Sequence, residues 1–344
     1  MEQKRLVFID CMRGLCILMV VYHHFLVMGM RGFDYVSKVG GVMGLFFVPL
    51  FFFVSGFVLW RKGLSWNFKD SLKFIEKKSR SVLLPTIVMF SVCMLTFHLD
   101  FREWIFVSFK SGYWFTWVLF QFFFVWMLFN VVVEFLGLSK KIDIALLLLF
   151  ICGGVGNLVC DYFHESNRVI GFLSTNLALK YFVYFCFGLI VRCKSVFFEK
   201  VLSNRILNFV LFLLAVLPIF IRISTKVEMI VVLAQILCIF KFFICKQSFF
   251  DGNGLASSFL ANCGRNSLAI YFLHYFMLFK LPLISSWLMH YQMDYCFRGP
   301  SCGALLEIIV LSILSAVVAS CCIVIKKIID VFPIVSMLCF GVRK

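Results

Sequence analysis

Apolar residues run along this chain in blocks of about 17–25, the length an α-helix needs to cross the hydrocarbon of a bilayer. Ten blocks can be drawn, at approximately 6–28, 40–60, 82–98, 114–136, 142–160, 177–191, 206–221, 227–245, 266–284 and 303–325, the sixth and seventh of them short. Polar stretches, many with Lys or Arg, separate them. The pattern predicts an all-α, polytopic integral membrane protein of about ten transmembrane helices, a single domain over residues 1–344. There is no internal repeat and no low-complexity segment.

The basic residues set the expected orientation. With the amino terminus inside, cytoplasmic ends and loops collect 23 of the 33 Lys and Arg, seven of them between Arg61 and Arg80. That asymmetry predicts N-in and C-in. Arg13 then lies near the cytoplasmic face and His24 toward the outer half.

Composition agrees with the pattern. The chain is 62% hydrophobic and 15% charged, with 46 Phe, which excludes an ordinary soluble globular domain. The net charge of +16 is no nucleic-acid footprint, because the cations stand between apolar blocks and not along one face. Fifteen Cys show no zinc spacing and sit mostly inside apolar blocks, so no metal is expected. Cys296 and Cys302 share a loop and are candidates to pair in an oxidising compartment. Lys4 and Arg5 ahead of an apolar block resemble a signal peptide. Asp10 and Arg13 inside the block, with no small-residue cleavage pattern after it, argue for retention.

The chemistry concentrates in the first block, where Asp10, Arg13, His23 and His24 interrupt an otherwise apolar run. Ionisable groups at such depth are costly in lipid and default to a functional reading. Arg13 and His24 are eleven residues apart, close to three full turns, so they fall within about 20° of each other and about 16 Å apart along the axis. Asp10, three residues before Arg13, joins that face. His23 is turned about 100° away. Two readings stand at this point. In one, Arg13 snorkels with Asp10 as its partner and His24 bonds a neighbouring helix. In the other, the face lines a wet cavity, and the shared register favours this.

Other stretches carry weaker signals. In the second block, Gly40 and Gly44 are spaced for close helix approach, and Ser55 is placed to bond a carbonyl of its own helix. The basic loop expected between Arg61 and Ser81, with Lys77, Lys78 and Arg80, reads as a positive-inside anchor or, more sharply, as a phosphate clamp. Tyr113, Trp114, Phe115 and Trp117 read as an interfacial aromatic belt. His164 and Glu165 have nothing nearby to make them a site. Glu134 and Glu228 lie near block ends and read as interfacial. Ser267, Tyr271 and His274 stand at i, i+4 and i+7 on one helical face, and such a stripe points toward other helices or a cavity.

Taken in order, these stretches resemble acyltransferase family 3, the membrane proteins that acylate bacterial surface and exported glycans. Asp10, Arg13, Gly14 and His24 are similar to the family's opening motif, an Arg followed by ten residues and a His. Phe52 to Phe57 resembles its Phe-x-x-Ser-Gly-Phe segment. Tyr113, Trp114 and Phe115 followed by Leu119 resemble its Trp-Phe-Leu stretch. Ser267 to His274 resembles its Ser-Leu-x-Ile-Tyr-x-x-His segment. One piece departs: the family's Arg-x-x-Arg before a proline is here Lys77 with Arg80, or, counted back from Pro85, Lys78 with Ser81.

The resemblance implies an acyl group, commonly acetyl, carried by coenzyme A and delivered to a hydroxyl of a glycan or glycolipid at the cell inner membrane. It implies His24, Arg13 and Asp10 as catalytic residues, and Arg13, Lys77, Lys78 and Arg80 for the phosphates of acetyl-coenzyme A. Ser55, Tyr113, Trp114, Ser267, Tyr271 and His274 are then supporting residues. A base for the hydroxyl or a transient acyl carrier is what thioester-to-hydroxyl transfer demands, and an imidazole serves either way. The alternatives are a transporter or flippase of lipid-linked sugars, and a non-catalytic subunit of a glycan-assembly complex.

Overall fold

The computed structural model describes residues 6–30, 37–61, 66–101, 105–163, 167–221, 223–252, 254–286 and 302–341. Within them all regular structure is helical. Among the described residues eight helices are long and apolar enough to cross a membrane. A ninth span results if Ser195–Ser203 and Arg205–Phe220, bent by 87° to each other, are counted as one. The expected block 206–221 is thus one arm of a bent pair. In the expected block 266–284 the apolar helix Ser267–Met277 is shorter than a span. The segment with Cys296, and His164 and Glu165, lie outside the described residues.

The chain divides into two compact units interleaved in sequence. The first comprises Met1–Phe51 and Val201–Lys327, the second Phe52–Lys200 and Ile328–Lys344.

In the first unit, α1 spans Val7–His24 and widens into a π-helical turn at Phe25–Gly29. Helix α2 runs Lys38–Leu59, and its residues up to Phe51 belong here. The later elements that matter to the site are Leu255–Arg265, Ser267–Leu273 with a 3-10 turn at His274–Met277, and the long helix Cys302–Ile329. α1 crosses Leu255–Arg265 backbone against backbone. A Cβ on Gly14 would lie 2.0 Å from the Leu260 carbonyl oxygen, and one on Gly264 would lie 1.8 Å from that of Asp10. Only glycine fits at either place.

In the second unit, the basic stretch expected as a loop is helical. Asn67 accepts from the Asp70 N–H and caps a helix over Phe68–Lys78, which passes through a π-helical turn at Ser79–Leu83 into a helix over Leu84–Phe97. Gly56 and Gly188 let α2 and the helix Thr175–Cys193 approach, since a Cβ on either would lie about 2 Å from a carbonyl of the other helix. In the first unit, the close approach expected at Gly40 and Gly44 is met at Gly40, by a side chain, and not at Gly44. A Cβ on Gly40 would meet the Leu26 side chain and Ser37, and Gly44 faces open space. Tyr113 and Trp114 are buried core, not a belt, with Trp114 stacked on Tyr181 at 5.2 Å. An aromatic-lined cavity of about 230 Å³ lies beside Phe90, Lys110, Tyr113, Trp117 and Phe172.

Candidate active site

The first unit brings the two polar faces of the sequence together. Arg13 Nη2 donates to Ser267 Oγ at 3.0 Å. Eleven residues later, His24 Nδ1 lies 3.2 Å from His274 Nε2. These contacts, met in the same order along both segments, lay Ser267–His274 alongside α1. Asp10 is buried one turn before Arg13, at the crossing with Leu255–Arg265. Tyr271 is buried with its ring 6.3 Å from that of His274. His23 packs on Phe47, with its ring edge-on to that of His24 at 5.9 Å.

Partners fix the imidazole tautomers. His24 Nδ1 lies 2.9 Å from the carbonyl oxygen of Val20, and His274 Nδ1 lies 3.0 Å from that of Ile270. A carbonyl oxygen only accepts, so each Nδ1 carries the proton and, in the neutral rings, each Nε2 presents its lone pair. The His24 Nδ1–H is therefore shared between Val20 and His274 Nε2. On the other side of the ring, Tyr275 Oη lies 2.8 Å from His24 Nε2 and donates to it. His274 and Tyr275 are buried, and His24 is half-buried.

Tyr275 is a residue that sequence reasoning missed, since an aromatic in an apolar block reads as core. A second omission lies on the opposite side of α1. Tyr22 Oη and Ser37 Oγ both donate to Glu307 Oε1 at 2.7 Å, and Ser37 Oγ also accepts the Gly40 N–H. Glu307 is fully buried. A carboxylate five residues into an apolar block is the signal that would have found it.

The remaining candidates lie in the second unit. Lys77 is exposed. Lys78 Nζ sits 3.9 Å over the Phe123 ring, a cation–π contact. Arg80 pairs with Glu76 one turn earlier at 2.6 Å. Ser55 is half-buried beside the Gly56 crossing. Among the described residues no cluster of His, Cys, Asp or Glu is arranged to hold a metal.

A family model described as an acyltransferase domain matches residues 6–326. The chain belongs to acyltransferase family 3. It is a multi-pass membrane acyltransferase, and the match spans both units and every candidate residue above. No curated protein and no solved structure shows significant similarity to it.

Proposed function

We propose that this acyltransferase moves an acyl group, acetyl in the first instance, from acyl-coenzyme A to a hydroxyl of a cell-surface or exported glycan at the bacterial inner membrane, with His24 as general base. The observation that carries this reading is the arrangement around His24. Its Nδ1–H is held by the Val20 carbonyl and His274 Nε2, which leaves Nε2 aimed at a hydroxyl 2.8 Å away. A base within hydrogen-bond reach of an O–H, oriented from behind by a further acceptor, is the arrangement that acyl transfer to an alcohol uses. When Nε2 takes a proton, the Nδ1–H bond to His274 steadies the resulting imidazolium.

Arg13 is assigned to the phosphates of the donor. One of its five N–H groups holds Ser267, which orients the planar fork. Asp10, one turn away, shapes that end of α1. Lys77, Lys78 and Arg80 are further candidates for the donor's phosphates, with Ser55, Tyr113, Trp114 and Tyr271 in supporting roles. The acceptor is a glycan or glycolipid. Family membership counts against a transporter, and the intact His24 arrangement counts against a non-catalytic subunit.

The test uses inner-membrane vesicles from a deletion strain that re-expresses the full chain, so that native acceptors are present. With radiolabelled acetyl-coenzyme A, wild-type vesicles are expected to label surface glycan and release free coenzyme A. His24→Ala is expected to lower both by roughly 10³-fold with normal membrane levels of the protein. Near-normal labelling by His24→Ala refutes the assignment. Mass spectrometry of the labelled glycan then names the acceptor.

A further inference from the structure

We infer that the Tyr275 hydroxyl is the group that meets the acceptor, relaying its proton to His24. This rests on the assignment of His24 as base. A neutral imidazole has one lone pair, and that of His24 Nε2 is already taken by the Tyr275 O–H at 2.8 Å. For an acceptor hydroxyl to reach Nε2 directly, Tyr275 would have to leave, stripping a buried phenol of this acceptor. Its neighbours hold it in place. The Tyr275 ring lies 4.1 Å from that of His274 and 4.9 Å from that of His24, and the segment bearing it is fastened to α1 on both sides. Ser267 is held by Arg13 before it, and the Leu281 N–H donates to the Gly29 carbonyl after it.

The relay balances without a further reactant. The acceptor's proton passes to the Tyr275 oxygen as the Tyr275 proton passes to His24 Nε2. The acceptor oxygen bonds to the thioester carbonyl carbon, and the carbon–sulfur bond breaks. The coenzyme A thiolate leaves and takes the proton from His24, which returns both side chains to their starting state. Two protons are in flight in the transition state, where a direct base would move one.

Tyr275→Phe keeps the ring and removes the relay atom. In the same vesicles it is expected to lower glycan labelling by roughly 10²-fold, with the KM for acetyl-coenzyme A little changed. In mixtures of H2O and D2O, the wild-type rate should bend with deuterium fraction, as two moving protons require, and the residual Tyr275→Phe rate should fall linearly. Replacing Tyr275 with 3,5-difluorotyrosine, which is more acidic and of nearly the same shape, should move the pH–rate profile to lower pH. Wild-type labelling by Tyr275→Phe overturns the relay, as does an unchanged bend in the variant. Recovery of a peptide acetylated on Tyr275 also overturns it, because the phenol would then be the nucleophile. If Tyr275→Phe is normal while His24→Ala is dead, the relay alone fails. If both are normal, the base assignment fails with it.

Discussion

Two polar side chains among the apolar helices of this protein, Lys110 and His24, are satisfied in opposite ways. Lys110, in the second unit, points its ammonium at three carbonyl oxygens, those of Ile105, Val107 and Gly171, at 3.0–3.4 Å. The ammonium also lies within 6 Å of the Trp117 and Phe172 rings. Three protons meet three acceptors, although the backbone at Lys110 and Ser111 is left-handed, where side chains are disfavoured. His24, in the first unit, is met by two titratable groups, Tyr275 and His274. Saturation by main-chain acceptors makes a brace. Contact with titratable neighbours makes a candidate site.

The contrast can be broken by substitutions that strike one side only. His24→Ala should show the largest effect, the roughly 10³-fold loss of transfer given above, at normal membrane levels of the protein. Lys110→Met should do the reverse. It leaves three carbonyls without their charged donor, so we expect a stability loss of about 2–3 kcal/mol with normal turnover per folded molecule. A Lys110→Met protein that melts like wild type but transfers poorly would invert the comparison. His274→Ala should cost roughly 10- to 100-fold in kcat, less than His24→Ala, because the Val20 carbonyl still accepts the Nδ1 proton. Arg13→Lys should have the smallest effect, a KM for acetyl-coenzyme A raised by about 5- to 10-fold at unchanged kcat, since charge persists while the fork is lost.

Much of the candidate site's layout is legible in the sequence. Helical period alone puts Arg13 and His24 on one face and Ser267 and His274 on another. That these faces meet across some 250 positions is a tertiary fact that no local pattern encodes. Tyr275 stayed hidden because nothing in an apolar run distinguishes a phenol that packs from one that also donates. The basic stretch before Pro85 misled for a different reason. Its charge density reads as a loop, yet Asn67 followed by Asp70 is a helix start, and the cations ride on that helix. Tyr113 and Trp114 misled because the same aromatics serve an interface and a core, and burial alone separates the two. Among glycines, spacing singled out Gly40 and Gly44, while backbone contact falls on Gly14, Gly264, Gly56 and Gly188. Which small residue is indispensable depends on what stands opposite it.

The two fastenings of the Ser267–Leu281 stretch have a mechanical consequence. Imidazole and phenol share a single support, because α1 and the π-helical turn that extends it carry His24 and, through Arg13 and Gly29, both moorings of the strip that bears the hydroxyl. Sway in that helix is therefore expected to displace donor and acceptor in concert and so to preserve the 2.8 Å gap between them.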